Sequence, residues 1–310
     1  NQHITTFTHL SAYSDITPLR TGGLYGIKPV GYQMKIEDIP VSCDPVDIKS
    51  RPATLSGMFY PGSAQELKST LDAFFSSTVT PVTSPYGVLV PHAGYLYSGK
   101  TAACAYAKIP ETFFWTFIVI GPSHPGCMTA TADLLWETPL GPVCSDTALI
   151  ASLQECGIPN RPDLLRVQEN SLEVQMPFIR YCFPNARVAP VLLGDQSVSA
   201  VSAVTDAVCL AIDLCSGEVV IIASGDGSHC VPRSVAEHDD LTVLAAAARL
   251  DTEKFYEALA EIRPSMCGYG CIAALLLIGK HLGATEARMI MYQTSDDATG
   301  DRRDVVGYAA

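Results

Sequence analysis

Positive charge is scarce in this chain. Lysine and arginine together number 20 among 310 residues, against 32 aspartates and glutamates, for a formal net charge of −12. Such a balance argues against the basic footprint that nucleic acids and anionic membrane surfaces attract. Long apolar runs are missing as well. The nearest, residues 275–278 with their neighbours, is short and is followed by Lys280 and His281, so no segment is long and apolar enough to cross a bilayer. The 11 cysteines include no C-x-x-C pair, which removes zinc-finger and thioredoxin-type spacings. They are free or bridged, and an odd number leaves at least one unpaired or paired between chains. Within apolar patterns, as at Cys104 and Cys209, a small buried hydrophobe is the expected role. Charged residues are only 17% of the chain against about 25% in typical soluble domains, a deficit that partner subunits covering part of the surface would produce.

What is present divides near Ser50. Residues 1–50 are rich in Thr, Ser, Gly, Tyr and Pro and show neither helical nor alternating periodicity, so they cannot build a core and read as an extended N-terminal arm. From Arg51 the pattern is globular α/β. Ser63, followed three residues later by Glu66, marks a capping box for a helix through about Phe75. Strands are expected at 87–91, 115–121, 187–193, 218–224, 287–293 and 304–309. Helices are expected at 99–108, 146–156, 172–183 and 198–214, and within 235–281.

Three of the apolar runs end in small-residue loops that carry a histidine: Val90-Pro91-His92, Gly121-Pro122-Ser123-His124, and Ser224-Gly225-Asp226-Gly227-Ser228-His229. Continuous apolar runs of this length are fully buried strands of a largely parallel sheet, and ligands of open α/β sheets bind beyond the carboxyl ends of those strands. The three histidines are therefore expected to face one crevice, as a metal or acid/base site requires. Asp226 and His229 form a D-x-x-H pair, with His229 as acid/base or substrate contact oriented by Asp226; the alternative is an aspartate that merely bonds its own turn. Glu173 and Gln175 sit at an expected helix start, where Glu173 can simply complement the helix dipole. Cys271 lies one helical turn after Cys267 and either reaches the same site or packs.

Read in order, Arg51-Pro-Ala with Gly57-Met-Phe-Tyr-Pro-Gly62, Val90-Pro-His-Ala-Gly-Tyr95, Gly121-Pro-Ser-His124, Ser171-Leu-Glu-Val-Gln-Met-Pro-Phe178, Pro190-Val-Leu-Leu-Gly194, Ser224-Gly-Asp-Gly-Ser-His229, Cys267-Gly268 and Val306-Gly-Tyr308 resemble the Memo family, the B component of the AmmeMemoRadiSam gene set. The resemblance covers residues 51–310. It implies a single three-layer α/β domain with a central mostly parallel or mixed sheet, similar in fold to class III extradiol dioxygenases. It also implies one transition metal ion, copper, iron or zinc, held by His92, His124 and Cys267. Two imidazoles and a thiolate leave an open coordination position and suit those metals better than magnesium or calcium. By the same resemblance the protein would be cytoplasmic, whereas a processed terminus at Asn1 would favour export.

The chain also departs from the family pattern. Asn170 stands where E-H-S-L-E usually has histidine, and Tyr269 where C-G-R-x-P has arginine. Both changes fall in the expected pocket, and an amide cannot carry protons as imidazole does. Three functions follow as expectations. The first is a Memo-like metal-binding protein in which catalysis is doubtful. The second is a self-assembling structural protein, an oligomer or filament, whose residues 1–50 dock on a neighbouring subunit. The third is a non-haem iron dioxygenase-type enzyme acting on an unidentified small molecule with His229 as acid/base.

Overall fold

A computed structural model describes residues 50–76, 78, 84–215 and 217–310; the expected arm, Ser50 apart, lies outside the described residues. The order of elements begins β1 (Ser50–Arg51), α1 (Ala64–Phe75), β2 (Gly87–Val90), α2 (Tyr95–Tyr106), β3 (Thr116–Pro122), β4 (Ala130–Thr131) and β5 (Leu135–Trp136). It continues with α3 (Thr147–Glu155), α4 (Pro162–Leu165), α5 (Asn170–Glu173), α6 (Met176–Cys182), β6 (Arg187–Leu193), α7 (Val198–Leu214) and β7 (Val219–Ser224). The last part holds β8 (His229–Val231), α8 (Arg233–Ala247), α9 (Thr252–Ile262), α10 (Tyr269–His281), β9 (Tyr292–Thr294), α11 (Asp296–Thr299) and β10 (Val305–Ala309).

The central sheet has the order β2-β7-β3-β6-β4. Its first four strands are parallel and β4 closes the edge antiparallel to β6, which makes the sheet mixed. β3 is buried along its whole length, as its unbroken Phe-Ile-Val-Ile run demands of a strand covered on both faces. The pleat then sorts side chains between two cores. Phe117, Val119, Val220 and Ile222 enter the core with Leu67, Leu71, Tyr106 and Phe178, from α1, α2 and α6. Ile118, Ile120, Ile221 and Ala223 enter the other, with Val208, Ala274 and Ile278 from α7 and α10. Helix layers on both faces of one sheet give the three-layer architecture that the sequence suggests. A smaller antiparallel sheet, β8-β10-β9, brings the C-terminal strand against the loop that follows β7.

The capping box of α1 is present: Ser63 Oγ accepts from the Glu66 N–H and donates to Glu66 Oε2. Three boundaries differ from the sequence reading, each for a local reason. α2 starts at Tyr95 rather than 99, its small residues obscuring the helical signal; a Cβ on Gly99 would lie 2.3 Å from the Phe74 ring of α1, so close helix packing selects glycine there. The helix expected at 172–183 is split into α5 and α6, because Pro177 has no N–H for the Glu173 carbonyl. The strand expected at 287–293 shrinks to Tyr292–Thr294, and Met289 and Ile290, which suggested a strand interior, are exposed.

Among the described residues no helix is long and apolar enough to cross a membrane.

Candidate metal centre

β2, β7 and β3 are neighbours and parallel, so their carboxyl ends open on one crevice. His92 follows β2, His124 follows β3, and Asp226 and His229 follow β7. Cys267 reaches the same place from the far end of the chain. A single antiparallel bridge joins it to Asp226, and Gly268, in the left-handed region at φ +77°, presses against the end of β7. A Cβ there would sit 2.6 Å from the Ser224 carbonyl oxygen, so only glycine lets Cys267 approach so closely.

Each imidazole is turned by a second group. Ser224 Oγ donates its proton to the Ser171 carbonyl at 2.5 Å and accepts from Gln175 Nε2 at 3.0 Å. Toward His92 Nδ1, also 3.0 Å away, it therefore acts as acceptor. His92 is accordingly the Nδ1–H tautomer, with its Nε2 lone pair 3.0 Å from Cys267 Sγ. The same logic fixes the other two rings. His124 Nδ1 donates to Glu169 Oε1 at 2.8 Å, and His229 Nδ1 to the Ser265 carbonyl at 3.0 Å, which can only accept. His229 Nε2 is 3.9 Å from Cys267 Sγ. The His92 and His124 rings stand edge to face, with centroids 5.2 Å apart.

The ligand atoms of His92, His124 and Cys267 all lie within 4.8 Å of one another, and those of Asp226, His229 and Cys267 form a second such set. Burial holds the His92 imidazole below its ordinary pKa against the pull of Asp226, keeping it in the neutral form that binds metals. The hydrogen bond to Glu169 raises His124, making it a more basic ligand. Burial would push Glu169 up, yet hydrogen bonds from the His124 ring and the Ser171 N–H hold it below the usual carboxylate range. Burial, then the Asp226 carboxylate, pushes the Cys267 thiol well up.

The remaining expected pocket residues separate. Asn170 Nδ2 donates to the His92 carbonyl at 3.0 Å, so its amide braces a ligand-bearing loop. Gln175 lies beneath His92, on the Pro91 carbonyl and Ser224. Asp226 does not bond its own turn; Oδ1 accepts the His92 N–H at 2.8 Å. Glu173 points elsewhere: its carboxylate takes Arg51 Nη1 at 2.5 Å, Thr54 Oγ1, the Leu55 N–H and the Tyr60 hydroxyl. Cys271 is wholly buried in the core that holds α10, and Tyr269 packs on Tyr256 with ring centroids 6.5 Å apart. Ser224, Glu169 and Ser265, which orient the three rings, escaped the sequence reading. Serine and glutamate beside a ligand loop are common, and only the fold shows which one faces a ring.

The described donor set suits a soft or borderline transition metal: two neutral imidazoles with free Nε2 atoms and a thiol, each imidazole carrying the outer partner that metal-bound histidine almost always has. The family model described as "Memo-like protein" matches residues 51–310. A MEMO1 family protein of Methanothermobacter thermautotrophicus is 37% identical over 273 residues, covering 84% of this chain and 98% of its own length. One of Methanosarcina barkeri is 35% identical over 264 residues with the same coverage, and one of Nitrosopumilus maritimus 34% identical over 276. On that match and on these relatives, the chain belongs to the Memo family.

Proposed function

We propose that this protein binds one transition metal ion, copper, iron or zinc, through His92 Nε2, His124 Nε2 and Cys267 Sγ. The observation that carries the reading is that both imidazoles have Nδ1 committed to an outer partner, Ser224 or Glu169, while their remaining donors converge with a buried thiol. When bound, such an ion stabilises the Cys267 thiolate and offers an open coordination position. The chain's own residues do the rest. Ser224 and Glu169 fix the tautomers, Gln175 and Asn170 hold the His92 loop, and Asp226 stands 3.8 Å from His92 Nε2. Full-length protein purified without oxygen and offered iron, copper and zinc is expected to retain about one ion per chain by elemental analysis. Stoichiometry near zero with all three overturns the reading.

Outer partners of metal-bound histidine are worth 10–100-fold in affinity. Glu169→Gln is therefore expected to weaken binding by about that factor in competition with a chromophoric chelator. Unchanged affinity removes Glu169 from the role.

His229 favours a second reading, in which a ligand at the open position is deprotonated. Its Nε2 lone pair faces the Cys267 side of the site, its tautomer is set by Ser265, and Asp226 lies beside it. Oxygen consumption by the iron-loaded protein with a diol, abolished in His229→Ala, distinguishes this enzyme from a binding protein. Asn170, unable to carry protons, leads us to expect weak turnover or none.

A further inference from the structure

Tyr308 is buried, at 2% exposure, yet it belongs to neither hydrophobic core. Its strand, β10, lies along the loop that carries Asp226 and His229. Val306 is in register with His229, Gly227 N–H donates to the Gly307 carbonyl at 2.7 Å, and Gly307 N–H to the Ser228 carbonyl at 2.9 Å. Gly307 faces α8, where a Cβ would fall 2.0 Å from Asp240 Oδ2. Strand alternation then turns the Tyr308 side chain the other way, into electrostatic reach of Asp226, Tyr97 and Cys267. The phenol hydroxyl makes no hydrogen bond to any described residue, and it is not among the sealed, unsatisfied polar atoms. A buried tyrosine ordinarily finds a partner for its hydroxyl. Here the partner is missing from the protein although the Asp226 carboxylate is near.

We propose that Tyr308 and the open metal position together form a subsite for a ligand that brings an oxygen anion, the phenol O–H donating to that oxygen. The inference rests on the metal reading above. An oxygen anion placed beside Asp226 and the Cys267 sulfur meets negative charge on two sides, so a neutral donor aimed at it decides whether it binds.

The test uses full-length protein loaded with cobalt(II), whose visible absorption follows ligand exchange, titrated with acetate and separately with imidazole, a neutral nitrogen ligand. Tyr308→Phe is expected to leave cobalt loading and imidazole affinity unchanged while weakening acetate by about tenfold or more, the range for a hydrogen bond to a charged group. Unchanged acetate affinity in a loaded variant overturns this inference alone, as does a parallel loss for acetate and imidazole, which marks a merely structural role. Failure of the wild type to load cobalt overturns the metal reading and this inference with it.

Discussion

Glu173→Ala is expected to destabilise the fold by about 3–5 kcal/mol, because it strands the buried Arg51 guanidinium without its counter-charge. Arg51 and Glu173 are 1% and 2% exposed. The arginine also donates to the carbonyls of Leu165, Val167 and Glu169, and it stacks 4.7 Å over the Trp136 ring. Glu173→Gln keeps the shape and removes the charge, so it should lose most of the same stability. The pair Arg51→Met with Glu173→Leu should lose much less than the sum of its parts, since buried ion pairs are often replaceable by apolar groups of similar volume. Urea denaturation of the three variants measures this. A loss below about 1 kcal/mol for Glu173→Ala would show that the carboxylate is not the keystone the geometry makes it. Because Arg51 also binds the Glu169 carbonyl, loosening should spread to the residue that orients His124.

Cys267→Ser and His92→Ala are each expected to bring bound metal from about one ion per chain to near zero, since two remaining donors coordinate too weakly to hold it. Neither change removes core packing, so far-UV dichroism should be retained. His92→Ala also leaves intact the backbone N–H that bonds Asp226. Metal content equal to wild type in both variants sinks the ligand assignment and points instead to the Asp226, His229 and Cys267 set.

The strands were easy to read and the site only in part. Runs such as Phe117-Ile118-Val119-Ile120 admit one interpretation, a strand buried on both faces, and a histidine just beyond each of three parallel strands already implied a common crevice. Glu173 shows where such reading fails. Sequence places it one residue from Val174 in a ligand-lining segment, but which way a carboxylate turns depends on Arg51, 122 positions away. The break between α5 and α6 has a visible cause in Pro177. Its consequence, Gln175 turned under His92, needs the assembled sheet. Tyr308 was legible only as part of a motif, because an unpartnered hydroxyl is a property of three-dimensional surroundings.

His92 and Cys267 are 175 positions apart, yet they touch. A contact that distant closes late, after the parallel ladder from β2 through β7 to β3 has formed. The unfolded chain therefore lacks the composite site, and whatever that site takes up acts as a thermodynamic clamp on the native state. A ligand present at a hundred times its dissociation constant adds about 2.7 kcal/mol to the folded form. The melting temperature then becomes a gauge of occupancy, so two preparations with the same sequence but different loading histories are expected to differ in thermal stability.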